Sequence, residues 1–212
     1  MKDLQVFTTE HGVATLILKE IPYQEKAYVI LRDSMEPIAL ARECADFCRA
    51  CGAEQIYATG SAVLSEYPFH TAMWEMSCIR ESFPDTDAAL FPVQEQTLAR
   101  WRDIYNQKVR KVPNGAWMTH GDGEEMLKKG DGYFIHRSGV LLGIGRAGAD
   151  RIDWVASVTP GGGGEVVRAL IHATTEDRIS LTVASTNQKA VALYESLGFL
   201  KTAEISKWYQ IR

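Results

Sequence analysis

Three cysteines lie close together in the first quarter of the chain, at a spacing that suits metal chemistry. Cys44, Cys48 and Cys51 form a C-x3-C-x2-C pattern, and Cys78 stands alone. Outside secreted proteins, such clusters are more typical of metal sites than of disulfides. The triplet therefore makes a metal site one hypothesis.

The spacing of the triplet resembles the signature of radical SAM enzymes, in which three thiolates on a loop hold a [4Fe–4S] cluster. The flanking residues predict a helix instead, because Ser34 and Pro37 suit its start and Gly52 its end. Apolar residues recur along it at helical spacing: Leu40, Cys44, Phe47, Cys48 and Cys51. Free cysteine packs as a small apolar residue. We therefore interpret the triplet as core packing and predict no metal site.

Two glycine-rich stretches suit phosphate binding to different degrees. Residues 143–148 match G-x-G-x-x-G, the pattern of dinucleotide sites. Such a site needs a helix directly after the glycines, and residues 149–155 predict a strand instead. Gly161–Gly164 lies between a predicted strand ending at Val158 and a predicted helix beginning near Glu165. Glycine allows close approach of a ligand, and the free N–H groups of a helix start attract phosphate. The second stretch is therefore the candidate phosphate site, and the first is a glycine-rich hairpin.

Composition and charge exclude several classes of protein. The 212 residues are 46% hydrophobic and 24% charged, which is typical of globular proteins. Residues 1–84 contain 7 basic and 12 acidic side chains, and residues 85–212 contain 16 and 15. Neither half has a basic cluster, so we predict no nucleic acid and no membrane surface as partners. With no signal core and no long apolar run, the expected location is cytoplasmic.

The order of hydrophobic patterns predicts the fold class. Residues 1–84 read as three strands, a helix and two strands; residues 85–212 read as strand, two helices, three-strand meander, helix, strand, helix and strand. Turn formers concentrate at residues 81–88, where we place the domain boundary. The prediction is an α/β (α+β) fold with a mixed, mostly antiparallel twisted sheet and flanking helices. A smaller N-terminal α/β region (1–84) precedes the domain 85–212.

Residues 187–199 carry the most specific motif. Asn187 suits the cap of a helix that Gly198 ends. The inward-facing residues of this helix are Ala190, Leu193, Tyr194 and Leu197. The string resembles the N-x-x-A-x-x-L-Y-x-x-x-G-F segment of the GNAT N-acetyltransferase superfamily, and the element order of residues 89–212 is similar to that family. The resemblance implies acetyl-CoA as co-substrate and no metal.

GNAT enzymes bind acetyl-CoA where the fourth and fifth strands of the sheet separate. The resemblance implies that the backbone of Ala156 and Val158 pairs with pantetheine and that Asn187 faces the pantetheine arm. It implies pyrophosphate contacts from four successive amides, those of Gly162, Gly163, Gly164 and Glu165. Tyr194 is then the candidate general acid near the thioester sulfur.

The implied reaction is direct attack, in a ternary complex, by a primary amine of a small molecule or peptide. Asp153 on the fourth strand is the candidate base, and a solvated or hydrogen-bonded strand aspartate is the alternative. In this family the first two helices and last strands form the acceptor side, which here offers Trp101, Tyr105, Asn106, Lys108, Trp208 and Tyr209. Helical spacing predicts that Trp101 and Tyr105 are core residues, and we assign the histidines no role.

The glycine loop departs from the family pattern Gln/Arg-x-x-Gly-x-Gly/Ala, because Glu165-Val166-Val167-Arg168 follows the four glycines. A non-catalytic acyl-CoA-binding or interaction module is therefore the second hypothesis, and the iron–sulfur enzyme is the third. Residues 1–84 resemble the later half of a GNAT domain, so we predict a degenerate half-repeat, with an unrelated α+β cap as the alternative. The oligomeric state stays open, with a homodimer as one option.

Overall fold

The computed structural model describes residues 4–212, which contain eleven strands and six α-helices. The strands are β1 (Leu4–Thr9), β2 (Gly12–Ile17), β3 (Lys26–Ser34), β4 (Gln55–Thr59), β5 (Phe69–Ile79), β6 (Ala89–Pro92), β7 (Gly132–Arg137), β8 (Val140–Ala147), β9 (Arg151–Ser157), β10 (Arg178–Ala184) and β11 (Leu200–Gln210). The helices are α1 (Ile21–Gln24), α2 (Pro37–Ala50), α3 (Glu95–Val109), α4 (His120–Lys129), α5 (Gly163–Ala173) and α6 (Gln188–Ser196). None of these helices combines the length and the apolar character that crossing a membrane requires. The predicted mixed α/β class is confirmed.

The chain forms two compact units. The first contains the chain through Met73 together with Glu204–Arg212, and the second is Trp74–Ala203. Strands β5 and β11 therefore contribute residues to both units. The boundary predicted at residues 81–88 rests on turn-forming residues. In the structure the chain passes from one unit to the other within β5 and within β11, because strand pairing joins residues that are far apart in sequence.

The first unit is a sheet covered by α2. Its strands β1, β2 and β3 are antiparallel neighbours, and β3 pairs with β4 in parallel from Lys26↔Gln55 to Ile30↔Thr59. Helix α2 forms the connection between those two parallel strands. The end of β11 pairs antiparallel with β4, with Tyr209 opposite Ala58. The core of this unit lies between α2 and the sheet.

Two cysteines of the triplet, Cys44 and Cys48, lie on α2 as core residues, and Cys51 is the C-cap residue of that helix. Cys44 and Cys48 are 0% exposed, and burial raises the pKa of both thiols to about 12. The prediction that Cys51 and Phe47 share this buried stripe is wrong. Cys51 is exposed, because the helix ends there, just before Gly52. Phe47 is 39% exposed and contacts the ring of Phe7. Within residues 4–212, no group of three or more His, Cys, Asp or Glu side chains is arranged to hold a metal ion.

The second unit is a mixed sheet with helices on both faces. Its strand order is β5-β10-β9-β8-β7-β6, in which β6 to β9 are antiparallel and β9 runs parallel to β10. Helices α5 and α6 pack on one face in a cluster that includes Leu170 and Phe199. Helices α3 and α4 pack around Trp101 and Ile144, and side-chain alternation along β8 assigns this cluster to the opposite face.

The glycines of the G-x-G-x-x-G match allow α5 to lie on β8. A Cβ atom at Gly143 would lie 2.7 Å from Val166 Cγ2, and one at Gly145 would lie 2.7 Å from Leu170 Cδ2. Strand β8 continues into β9 without a helix between them. The predicted hairpin is therefore confirmed, and these glycines serve close helix–sheet packing.

We expect Gly145→Ala to lower the free energy of unfolding by about 1–3 kcal/mol, because the added methyl group overpacks the contact with Leu170. Gly148→Ala is the matched control from the same motif, since no atom lies within 4 Å of the position of its Cβ. Urea unfolding of both variants measures the difference. Equal stability of the two variants would contradict the packing role of Gly145.

Candidate acetyl-CoA site

Strands β9 and β10 separate soon after they begin to pair. Among the described residues their ladder consists of Arg151↔Ser180 and Ile152↔Leu181. Strand β9 continues to Ser157 and β10 to Ala184. The carboxyl ends of these two parallel strands therefore enclose an opening, which is where ligands bind in many α/β sheets.

A β-bulge accounts for the separation of the two strands. In the β8–β9 ladder Arg146 lies opposite Trp154 and Ala147 opposite Ile152, so Asp153 is the extra residue. A bulge bends its strand and increases the local twist. The bend falls directly after Ile152, the last residue of β9 that pairs with β10.

The register of β9 decides which backbone groups face the opening. The N–H of Val158 donates to Leu142 O at 2.8 Å, and the carbonyl oxygen of Ala156 lies against Gly143, so both groups are directed at β8. Because backbone groups alternate in direction along a strand, those of Val155 and Ser157 face the side of β10. The expectation that Ala156 and Val158 offer their backbone groups to pantetheine is therefore wrong by one residue. The sequence pattern does not show where a strand contains a bulge, so it could not predict this register.

The glycine loop ends in the start of α5. Gly162 is the N-cap residue; its N–H donates to Thr159 O at 3.1 Å, and its carbonyl accepts from Val166 N at 3.0 Å. The amide of Gly162 is therefore already bonded, contrary to its expected role. The next three residues are Gly163, Gly164 and Glu165, and their N–H groups have no acceptor within the helix. Free N–H groups at a helix start attract anions.

The acid at the start of α5 is held by neighbouring groups. The Glu165 carboxylate accepts hydrogen bonds from Arg168 Nη1 at 2.8 Å and from Thr86 Oγ1 at 2.9 Å, and Arg137 Nη1 lies 3.8 Å away. Arg168 also lies beside Gly164, since a Cβ there would be 3.6 Å from Arg168 Nη1. Two guanidinium groups thus offset the charge of the Glu165 carboxylate, and that of Arg168 also stands next to the free N–H groups. Sequence reasoning noted Arg168 but could not find Thr86 or Arg137.

Tyr194, the candidate general acid, is a buried tyrosine of the second unit. Its side chain is 9% exposed in the core of the second unit and packs against Phe199, with ring centroids 5.8 Å apart. Burial raises the pKa of Tyr194 to about 12, so the hydroxyl stays protonated at neutral pH. Within residues 4–212 its hydroxyl makes no hydrogen bond.

Asn187 is the N-cap residue of α6, but its side chain makes no capping hydrogen bond. Its carbonyl accepts from the N–H groups of Ala190 and Val191, both at 3.0 Å. The predicted cap position of Asn187 is therefore confirmed, whereas the side-chain hydrogen bond typical of such a cap is absent. The half-buried amide of Asn187 is left available for a ligand.

Asp153 occupies the bulge where β9 and β10 part. Its carboxylate lies 3.3 Å from Arg151 Nε and 4.0 Å from Arg146 Nε, and its side chain is 39% exposed. Arg146 also bonds Asp131 at 2.8 Å. Asp153 thus lies at the opening, and its carboxylate is paired with the guanidinium groups of Arg151 and Arg146.

Three residues expected on the acceptor side serve the structure of the second unit. Trp101 is fully buried and donates from Nε1 to Tyr133 O at 2.9 Å, and the hydroxyl of Tyr105 donates to Ala116 O at 2.9 Å. Asn106 forms two hydrogen bonds with the backbone of Met118. The predicted core positions of Trp101 and Tyr105 are confirmed. Of the others, Lys108 is exposed, and Trp208 and Tyr209 belong to the first unit.

The first unit lacks these features at its own parallel strands. Strands β3 and β4 stay paired over five positions, from Lys26↔Gln55 to Ile30↔Thr59. The residues between β3 and α2 include no glycine. The candidate site therefore belongs to the second unit.

Comparison with known proteins identifies the fold. No family model matches this sequence, and no curated protein matches it either. A GCN5-related N-acetyltransferase from Sphaerobacter thermophilus is 12% identical with a TM-score of 0.58, over 94% of this chain and 76% of that one. A functionally unknown conserved protein from Staphylococcus epidermidis is 12% identical with a TM-score of 0.61, over 98% and 93%. A tandem GNAT protein from the clavulanic acid biosynthesis pathway is 12% identical with a TM-score of 0.54, over 94% and 78%.

The chain therefore has a GNAT-like fold, as the resemblance implied. The alignments extend over nearly the whole chain and so include much of the first half. The origin of residues 1–84 as a half-repeat stays a prediction.

Proposed function

We propose that this protein is an N-acetyltransferase that moves an acetyl group from acetyl-CoA to a primary amine of a small molecule or peptide. The observation that carries the proposal is the opening between β9 and β10 beside the free N–H groups that begin α5. The unpaired backbone at Val155 and Ser157 suits the amides of pantetheine, and the helix start suits a pyrophosphate. Arg168, next to Gly164, adds positive charge at the same place.

Bound acetyl-CoA would supply the thioester that a neutral amine attacks directly. In the proposed reaction the C–N bond forms, the C–S bond breaks, and the Tyr194 hydroxyl gives its proton to the leaving sulfur. Asp153, or a water molecule, takes the proton that the amine loses. Exchange with solvent then restores Tyr194 and Asp153, so the products are an amide and a free thiol.

The second candidate is a non-catalytic acyl-CoA-binding or interaction module. It is favoured by the bonded amide of Gly162, which cannot make the pyrophosphate contact that the resemblance implied, and by the acid at position 165, which departs from the family's loop pattern. Turnover separates the two candidates: an enzyme releases free thiol from acetyl-CoA when an amine is present, and a binding module does not. A homodimer and a cytoplasmic location stay predictions.

We expect Gly164→Asp to abolish the stabilisation of this protein by acetyl-CoA in thermal melting. A ligand that binds only the folded state adds about 2.7 kcal/mol of stability at a hundred times its dissociation constant. A carboxylate among the free N–H groups competes with the phosphates. Without ligand the variant should melt like the wild type, because the Cβ has space and an acid suits the first turn of a helix.

Gly164→Ala is the matched control, since it adds the same Cβ without the charge and should keep the shift. An equal shift in both variants and the wild type would place acetyl-CoA elsewhere. If no acyl-CoA shifts the wild type, the acetyltransferase proposal and the acyl-CoA-binding module are both contradicted, and the interaction module is the candidate that remains.

A further inference from the structure

The first unit contains a cleft that the proposed acetyltransferase site does not use. It lies between α2 and the end of β11, and we call it the α2 cleft. Its volume is about 350 Å³, within the range of small-molecule sites. The buried side chains of Ala41, Ala45 and Ile211 and the half-buried ring of Tyr67 form its apolar part.

The charged residues of the α2 cleft are mostly basic. Arg42, Arg49 and Arg212 line it, and Asp46 is the acid among its lining residues. Arg49 contacts Asp46, whereas Arg42 and Arg212 make no ion pair within the described chain. This basic cleft lies in a unit built mainly from residues 1–84, which carry 12 acidic and 7 basic side chains.

Helix geometry and backbone bonds direct these arginines to the same cleft. Arg42 and Arg49 are seven residues apart, two turns along α2, and so lie on one stripe of the helix about 10 Å from each other. The position of Arg212 is set by β4, because its carbonyl accepts from Ile56 N at 2.9 Å and its N–H donates to Ile56 O at 3.3 Å. The cleft therefore combines fixed apolar surface with three guanidinium groups, of which those of Arg42 and Arg212 have no ion-pair partner in the described chain.

We propose that the α2 cleft binds a small organic anion with an apolar or aromatic part. Guanidinium groups bind carboxylate and phosphate oxygens through paired hydrogen bonds, so Arg42, Arg49 and Arg212 would hold the oxyanion. The apolar part of the ligand would lie on Ala41, Ala45 and the ring of Tyr67. This site is independent of the proposed acetyl transfer, because it lies wholly in the first unit.

The test is calorimetric titration of the full chain with phenyl phosphate. We expect saturable binding that the double variant Arg42→Gln, Arg49→Gln weakens about tenfold or more, since two charged hydrogen-bond donors are lost. The control Arg100→Gln removes the same charge from an exposed position of α3 and should leave the affinity unchanged. Both arginines of the double variant are exposed, so the fold should be kept, which circular dichroism checks.

Inorganic phosphate should bind more weakly than phenyl phosphate, and benzyl alcohol should not bind saturably. Phenyl phosphate should bind the Gly164→Asp variant as well as it binds the wild type. Loss of binding to that variant would assign the probe to the glycine loop and overturn the proposal. Equal affinity of the double variant and wild type would overturn it too. The same holds if phenyl phosphate shows no saturable binding at millimolar concentration.

Discussion

A fragment of residues 85–212 should fail to fold cooperatively, although it contains the glycine loop and the motif at residues 187–199. The fragment lacks β5, which belongs in part to the second unit. Met76 and Cys78 of this strand are 1% and 6% exposed in the main core of that unit. Arg178 Nη1 bonds Ser77 Oγ at 3.1 Å, and Arg80 N bonds Asp177 O at 2.8 Å.

The expected loss is large compared with the stability of a domain. Removing a large buried side chain costs about 2–5 kcal/mol, and the fragment also loses the backbone pairing of β5. Typical domains have only about 5–15 kcal/mol of stability in total. The fragment Trp74–Ala203 matches the second unit and is the control, for which we expect one cooperative urea transition by circular dichroism. A cooperative transition of 85–212 would show that β5 is dispensable.

Tyr194→Phe should lower kcat for acetyl transfer by about 10²–10⁴-fold, the range typical of general acid–base catalysis. The melting temperature should stay unchanged, because phenylalanine keeps the ring contact with Phe199 and the hydroxyl has no hydrogen-bond partner in the described chain. The affinity for acetyl-CoA, measured by the shift in melting, should also be retained. Loss of rate with retained binding is the signature of a proton donor.

Tyr133→Phe is the control for this experiment, since Tyr133 is a half-buried tyrosine of the same unit that has no role in the proposed reaction. It should keep the wild-type rate. Full activity of Tyr194→Phe would mean that another donor or water protonates the sulfur. A drop in both melting temperature and rate would point to a packing role instead.

Local patterns in the sequence predicted the elements that carry the candidate site. Side-chain periodicity and end signals located α2, α5 and α6 within two residues, and the alternation in residues 132–157 predicted the meander of β7, β8 and β9. The motif at residues 187–199 indicated the GNAT-like fold that the solved structures share. These features depend on neighbours along one helix or strand, so a single sequence contains them.

The tertiary structure decided which groups of those elements face the opening between β9 and β10. The bulge at Asp153 sets the register of β9, so Val155 and Ser157, rather than Ala156 and Val158, present their backbone to the opening. Glu165 is held by Thr86, which is 79 residues away in sequence. The residues of β5 and β11 are divided between the two units. Such pairings depend on which distant segments meet when the chain folds, and hydrophobic periodicity along one segment does not encode them.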